Sequence, residues 1–232
     1  MPEASDSQVE GARLLDLVEV MDRLRTGCPW DARQTHQSLA PFLLEETYEA
    51  LEALDSGDIQ AFREELGDVL LQVVFHARVA AEREDGTGYT IDDVADGIVQ
   101  KLTRRHPHVF GDVAVSGAEE VKANWDAIKA AERAAAGGEP GSILVGIPLA
   151  QPALSLATAL QRRAERAGAP SDLADVAAGQ SADDGEVSEI GAELFALAAK
   201  ARAAGLDPEL ELRSAARVYR QRVQAWEQSD RD

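Results

Sequence analysis

Four acidic residues lie in two segments whose other residues have the pattern of buried helices. Between residues 39 and 55, apolar residues recur at helical spacing; Glu46 falls inside that apolar stripe and Glu49 lies on its flank, one turn away. The segment from residue 58 to about 85 is apolar in nearly every direction and keeps one narrow polar stripe. The members of that stripe are Glu65, Asp68, Gln72 and His76.

The short sequence DSGD at residues 55–58 predicts that the two helices form an antiparallel hairpin, which can bring the four carboxylates together. Carboxylates that meet in a partly desolvated place repel one another, so either some become protonated or a hard cation binds. Oxygen ligands with room for water suit Mg²⁺ or Mn²⁺, and such an ion favours a phosphate ester as its further ligand. The alternative is that these acids pair with Arg or Lys or lie on a solvated face; spacing alone leaves both open.

The remaining sequence predicts more helices and no β-sheet, so the fold class is all-α, a helical bundle. Asp58 and Thr90 are the expected N-caps of the third and fourth helices, while Gly27, Pro29 and Pro107 mark helix ends. We therefore expect helices at about residues 9–27, 39–55, 58–85, 91–106, 116–136, 151–166, 186–204 and 207–228.

Composition excludes several classes of protein. The 232 residues carry 42 acidic and 23 basic side chains, a formal net charge of -19, which disfavours binding to a nucleic-acid polymer. No run of 18 apolar residues predicts a membrane span, and the N-terminal residues do not have the pattern of a secretory signal. Because Cys28 is the single cysteine, no internal disulfide framework is expected. We expect a cytoplasmic protein that does not bind membranes.

The two halves of the chain are weakly similar to each other. Residues 23–31, RLRTGCPWD, correspond to 162–172, and residues 65–78, ELGDVLLQVVFHAR, correspond to 189–202. The offset falls from 141 to 124 residues, so the second copy is shorter by the 17 residues of the segment that carries Glu46 in the first. A chance similarity between Ala- and Leu-rich helices is the alternative.

A segment rich in Gly and Pro predicts the boundary between these copies. It occupies residues 137–150 and is expected to be a linker. The predicted organisation is a disordered tail at 1–8, a helical domain at 9–136 and a second, degenerate helical repeat at 151–232.

Four motifs, in order, are similar to those of MazG-type nucleoside triphosphate pyrophosphohydrolases. EETYE at residues 45–49 and ELGD at 65–68 resemble the EExxE…ExxD signature of that family. CPWDARQTHQSL, KLTRRHPHVFGD and VKANWDAIKAAER also resemble it. The resemblance covers residues 9–135 closely and residues 148–228 only in degraded form.

This resemblance implies an all-α NTP pyrophosphohydrolase fold, association into homodimers or higher homo-oligomers, and Mg²⁺-dependent cleavage of an NTP to NMP and pyrophosphate. Its implied metal ligands are Glu46, Glu49, Glu65 and Asp68, with Mn²⁺ as a substitute ion. The catalytic group is expected to comprise Glu45, Glu46 and Glu49. Glu45 is expected either to orient the attacking water or to hold a second ion.

The resemblance also assigns substrate-binding residues, which are Lys101, Arg105, Trp125 and Lys129. Lys101 and Arg105 would meet phosphate oxygens, although cations near a helix C-terminus also stabilise the helix dipole. Trp125 would stack on a base or be ordinary core.

Three other residues are weaker candidates for the site. Trp30 and His36 lie in an expected loop where a base pocket could form, although packing of Trp30 onto the core is the favoured interpretation. His76 on the polar stripe is a weak functional candidate.

The second copy departs from the motif. Asp68 corresponds to Ala192 and Lys101 to Val218, which leaves Glu189 as its single matching carboxylate. We therefore expect residues 140–232 to be non-catalytic.

Two alternative functions of the protein remain open. One is a nucleotide-binding regulatory module without turnover, and the other is a helical scaffold without a ligand.

Overall fold

The computed structural model describes residues 11–135, 142–182 and 185–229. Its contacts divide the chain into two compact units, Met1–Ala131 and Glu132–Asp232. Both units are helical, so the predicted all-α class is confirmed. No helix among the described residues is long and apolar enough to cross a membrane.

The first unit is built on a long helical hairpin. Its two helices are α2 (His36–Ser56) and α3 (Ile59–Ala80), which pack against each other more extensively than any other pair of elements in the described chain. Gly57, with φ 75°, ends α2 in the left-handed conformation that favours glycine, and Asp58 caps α3 by accepting from the backbone N–H groups of Gln60 and Ala61. The predicted hairpin and its cap are therefore present.

The remaining elements of the first unit surround or follow this hairpin. Helix α1 (Ala12–Gly27) packs on α3 and leads into a short 3₁₀ helix at Asp31–Arg33. Helix α4 (Ile91–Arg105), capped by Thr90 as predicted, also packs on α3. The last two are α5 (Pro107–Phe110) and α6 (Ala118–Ala135).

The core of the first unit lies between α1, α2 and α3. Met21, Leu39, Val74 and Phe75 form one buried apolar cluster. One residue from α1, one from α2 and two from α3 thus fix the positions of all three helices, because burying this apolar surface is the main stabilising term.

The second unit contains three α-helices in its described part: α7 (Ala153–Arg166), α8 (Glu189–Ala203) and α9 (Pro208–Ser229). Each of the three packs on the other two. Between α7 and α8 the chain forms a 3₁₀ helix, Ser171–Ala174, and an antiparallel pair of two-residue strands, Ser181–Ala182 and Gly185–Glu186. No β-sheet was predicted from the sequence, so this short strand pair differs from the expectation.

Several predicted boundaries were wrong. Helix α2 begins at His36 and not near residue 39, because Thr35 and Ser38 form a reciprocal capping box. Helix α3 ends at Ala80 and not near 85, and residues 107–110, expected in a loop, form α5. The predicted tail at 1–8 and part of the predicted linker lie outside the described residues.

Candidate metal centre

Three carboxylates converge where α2 and α3 face each other. One oxygen from each of Glu46, Glu49 and Glu65 lies within 4.8 Å of the others. Glu46 and Glu65 are half-buried, while Glu49 is exposed. The antiparallel hairpin produces this convergence, because Glu46 and Glu49 are successive on one face of α2 and Glu65 lies opposite them on α3.

Burial and charge repulsion both raise the pKa values of the half-buried members of this cluster. Desolvation raises the pKa of Glu46, and the neighbouring charges of Asp68, Glu49, Glu65 and Glu45 raise it further, in that order. Desolvation likewise raises the pKa of Glu65, with the charges of Glu49, Asp68 and Glu64 adding to it. A site that penalises its own negative charge fits a bound cation.

The donor set also fits a particular kind of cation. Carboxylate oxygens at a partly exposed place, with room for water, match the ligand preference of Mg²⁺ or Mn²⁺. No arginine or lysine is recorded as an ion-pair partner of the three clustered glutamates among the described residues. The competing expectation that Glu46 and Glu65 pair with basic residues therefore has no support here.

Asp68 and Glu45 lie at the edge of the cluster. Asp68 is exposed and does not belong to the group of three within 4.8 Å, although its charge is the largest electrostatic influence on the pKa of Glu46. Glu45 is exposed, and its charge influences Glu46 least. The structure therefore brings three of the four predicted ligands together and leaves the fourth adjacent.

The predicted phosphate-binding residues lie on α4, which packs on α3. Lys101 is exposed and Arg105 is half-buried in the last turn of the helix. The chain then turns at His106, whose Nδ1 donates to the carbonyl of Leu102 at 2.7 Å. Because a carbonyl oxygen can only accept, this bond places a proton on Nδ1 of His106.

Trp125 and Lys129 lie together on α6. The Lys129 ammonium is 4.5 Å from the centroid of the Trp125 ring, a cation–π contact, and the His106 ring is 5.8 Å from the same indole. Trp125 keeps 36% of its surface exposed, so it is not an ordinary core residue. An exposed indole beside a cation matches a surface on which a base could stack.

Trp30 and the two histidines are placed differently from expectation. Trp30 packs edge-on against Phe42 of α2, with ring centroids 5.9 Å apart, but it is 48% exposed and does not join the buried core. His36 belongs to the first turn of α2, so the prediction that it lies in a loop was wrong. Its Nδ1 lies 2.8 Å from Nδ1 of His76, a hydrogen bond between α2 and α3 that helical periodicity could not reveal.

A buried arginine holds α1 and the following loop against α3. Arg25, 9% exposed, donates from Nε and Nη2 to the two carboxylate oxygens of Glu82 at 2.8 and 2.7 Å. It also donates to the carbonyls of Asp31 and Gln34. Arg25 hydrogen-bonding lowers the pKa of Glu82. Sequence reasoning missed this residue, because its partner is 57 residues away.

The second unit has no comparable carboxylate cluster among residues 142–182 and 185–229. It contains instead a cavity of about 580 Å³ between α7, α8 and the segment around residues 169–174. Leu160 and Phe195 contribute to its largely apolar wall.

Sequence comparisons place this architecture in a family. Residues 34–110, which include α2, α3 and α4, match the MazG nucleotide pyrophosphohydrolase domain. A Thermotoga maritima protein named nucleoside triphosphate pyrophosphohydrolase/pyrophosphatase MazG is 39% identical over 228 residues, covering 92% of this chain and 85% of that protein. The chain belongs to the MazG family of nucleotide pyrophosphohydrolases, and the predicted family and enzyme class are confirmed.

Two further relatives extend this similarity. A Streptomyces cacaoi protein named "Uncharacterized 26.1 kDa protein in blaB 3'region" is 48% identical over 217 residues, covering 94% of this chain and 84% of that protein. A Mycobacterium tuberculosis nucleoside triphosphate pyrophosphohydrolase is 48% identical over 170 residues, covering 73% of this chain. The chain spans 50% of the length of that mycobacterial protein.

Proposed function

We propose that this chain hydrolyses nucleoside triphosphates to the nucleoside monophosphate and pyrophosphate, with Mg²⁺ held by Glu46, Glu49, Glu65 and Asp68. The observation that carries the proposal is the convergence of three carboxylates within 4.8 Å on facing helices. Membership of the MazG family supports the substrate class. Mn²⁺ is the expected substitute, because it accepts the same oxygen ligands.

A bound Mg²⁺ would neutralise negative charge on the triphosphate and on the carboxylates around it. The protein residues supply binding and orientation. Lys101 and Arg105 bind phosphate oxygens and stabilise the charge that develops on pyrophosphate as it leaves. Trp125 stacks on the base, with Lys129 beside it.

The proposed reaction is the attack of a water oxygen on the α-phosphorus. The new P–O bond forms as the bond between the α-phosphorus and the bridging oxygen to the β-phosphorus breaks, and pyrophosphate departs with that oxygen. Glu45, exposed at the edge of the cluster, orients the water and takes up the proton that it loses. Catalysis in this scheme is mainly positioning and electrostatic stabilisation.

The biological role that we propose is removal of surplus or damaged nucleotides from the cytoplasm, where these substrates are made and used. Homo-oligomerisation is part of the proposal. Large apolar side chains on the helices of the first unit, such as Leu44, Leu66 and Val99, are 48–60% exposed and offer a surface to a second copy.

Product analysis in ¹⁸O-labelled water tests the reaction. The full chain is incubated with each canonical, deoxy and damaged nucleoside triphosphate and Mg²⁺, and pyrophosphate and orthophosphate are measured separately. We expect pyrophosphate release with one ¹⁸O in the monophosphate. Orthophosphate as the first product, or label in pyrophosphate, would contradict attack at the α-phosphorus.

Glu49→Gln and Asp68→Asn test whether these two residues are metal ligands. Both substitutions keep the side-chain size and remove a charge, and both are expected to abolish pyrophosphate release while leaving the helical circular dichroism unchanged. If the wild-type protein binds nucleotide tightly but forms no product, the alternative of a regulatory module without turnover is favoured. If either variant retains turnover, the substituted residue is not a required metal ligand.

A further inference from the structure

The α2–α3 hairpin is tied at both ends. Gly57 and Asp58 form the covalent turn at one end. At the other end, where α2 begins and α3 finishes, Nδ1 of His36 and Nδ1 of His76 are 2.8 Å apart. The carboxylate cluster lies between these ties, since Glu46 follows His36 by ten residues on α2, about 15 Å along the helix.

The histidine bond lies in surroundings where polar groups are costly. His76 Nε2 is buried and has no hydrogen-bond partner within the described protein, and neither has Oε1 of Gln72, one turn earlier on α3. Gln72 is 6% exposed, and Leu39 and Phe75 of the apolar core are close in sequence to these residues. Replacing a buried polar pair by well-packed apolar side chains often leaves a protein equally stable or more stable. Stability of the fold alone therefore does not explain the His36–His76 pair.

The bond opposes a force that the cluster itself creates. Without a cation, the negative charges of Glu46 and Glu49 on α2 repel that of Glu65 on α3, because one oxygen of each lies within 4.8 Å of the others. A helix transmits a displacement along its length, so repulsion in the middle of the hairpin acts to separate its open end. A hydrogen bond from one imidazole Nδ1 to the other resists this separation, because the bond is directional and joins the two helices directly.

We propose that the His36–His76 hydrogen bond is a positioning clamp for the metal centre, which keeps the open end of the hairpin closed and the carboxylates of α2 and α3 at ligand distance. This inference rests on the proposed function for its relevance to catalysis. In this proposal, neither histidine contacts the substrate. Both act through the spacing of Glu46 and Glu65.

Metal affinity tests the clamp without any nucleotide. Mn²⁺ is titrated calorimetrically into the full chain, into the double variant His36→Leu/His76→Leu, and into Val74→Ala, which weakens the adjacent core but keeps both histidines. We expect the double variant to bind Mn²⁺ about tenfold more weakly, without a lower thermal midpoint, while Val74→Ala has a lower midpoint and retains wild-type affinity. Unchanged affinity in the double variant, or equal weakening in Val74→Ala, would overturn the clamp.

A conservative variant keeps the test decisive if the double variant does not fold. The amide nitrogen of Asn occupies nearly the position of Nδ1 and can donate to His76, so His36→Asn should retain affinity within about twofold while His36→Leu loses about tenfold. Equal affinities of His36→Asn and His36→Leu would contradict the proposal.

Hydrogen exchange of the metal-free protein gives an outcome that is independent of both metal and turnover. In His36→Leu we expect faster exchange of the amides around Glu46 in α2, with no change in α4. If the wild-type protein binds Mn²⁺ but releases no pyrophosphate, the proposed function fails. The clamp is then still tested by the difference in Mn²⁺ affinity between the wild-type protein and the histidine variants. If the wild-type protein takes up no Mn²⁺, unchanged exchange in α2 overturns the clamp as well.

Discussion

The two units are both helical, yet they differ at the place where chemistry is possible. In the first, helices of 21 and 22 residues meet through a tight turn, and their facing sides present Glu46, Glu49 and Glu65 to one point. In the second, a 3₁₀ helix and a small strand pair connect α7 and α8, and the described residues between them, 167–182 and 185–188, form no α-helix. The carboxylate cluster therefore depends on a hairpin of two facing helices and not on helices in general.

The ties between helices differ as well. Arg25 of the first unit is buried and makes a two-pronged ion pair with Glu82 together with two backbone contacts. Arg202 of the second unit donates to Glu165 at 2.5 Å and to Gln161 at 3.5 Å, and Glu165 is 73% exposed. The contacts of Arg25 are therefore more buried than those of Arg202, and they include two backbone carbonyls.

The largest expected effect is a loss of catalytic rate, and it should differ between Glu65 and Glu189, which occupy corresponding positions in the two copies. Glu65→Gln should lower kcat/KM for nucleoside triphosphates by at least about 100-fold, because it removes one charge from the convergent cluster. Glu189→Gln should leave the rate unchanged. Steady-state pyrophosphate release measures both, and a comparable loss in Glu189→Gln would mean that the second unit participates in catalysis.

The second effect compares the two arginines. Arg25→Ala should destabilise the protein by about 2 kcal/mol, since it removes the hydrogen bonds that this buried guanidinium makes to Glu82 and to two backbone carbonyls. Arg202→Ala should cost less than about 1 kcal/mol, because its partner is largely solvated. Urea unfolding with an unchanged m value measures these differences. Equal losses would show that the two ties are equivalent.

A third, smaller effect concerns one tryptophan from each unit. Trp125→Ala should raise KM for nucleotide about fivefold with little change in kcat, because a stacking contact binds substrate and transition state alike. Trp226→Ala, in α9, serves as the control, since that side chain is 61% exposed and is expected to leave KM unchanged. A KM effect confined to Trp226→Ala would exclude Trp125 as the stacking surface.

The smallest effect is the pH dependence of the metal-free protein. The pKa of Glu46 is raised above its ordinary 4.5 in the folded state, so the folded protein binds this proton more tightly than the unfolded chain. Stability from this group is therefore present below pH 4.5 and is lost as pH rises through the folded pKa. Glu46→Gln should remove that loss.

The measurement is the difference in unfolding midpoint between Glu46→Gln and wild type, taken from pH 4 to pH 8 with a chelator present. We expect the difference to grow in favour of the variant as pH rises, and to shrink or reverse when Mg²⁺ is added. A difference that is constant with pH would contradict a raised pKa of Glu46 in the folded protein.

Local signals made much of the fold predictable. Asp58 and Thr90 are caps that act within one helical turn, and the apolar periodicity around Glu46 and Glu65 indicated which sides of α2 and α3 face each other. The capping box of Thr35 and Ser38 was also a local signal, and overlooking it misplaced His36 in a loop.

Non-local contacts were beyond sequence reasoning. The pairing of His36 with His76 and of Arg25 with Glu82 joins residues 40 and 57 positions apart, and periodicity does not specify which polar residues meet. Spacing also could not distinguish Asp68, which lies beside the cluster, from Glu65, which belongs to it, because both occupy the same polar stripe of α3.

Calorimetric titration of the full chain with Mg²⁺ or Mn²⁺ tests the metal centre most directly. We predict saturable uptake that Glu65→Gln abolishes and Glu189→Gln leaves unchanged. Absence of uptake by the wild-type protein, or uptake that survives loss of the Glu65 charge, would contradict a metal centre built from the carboxylates of α2 and α3.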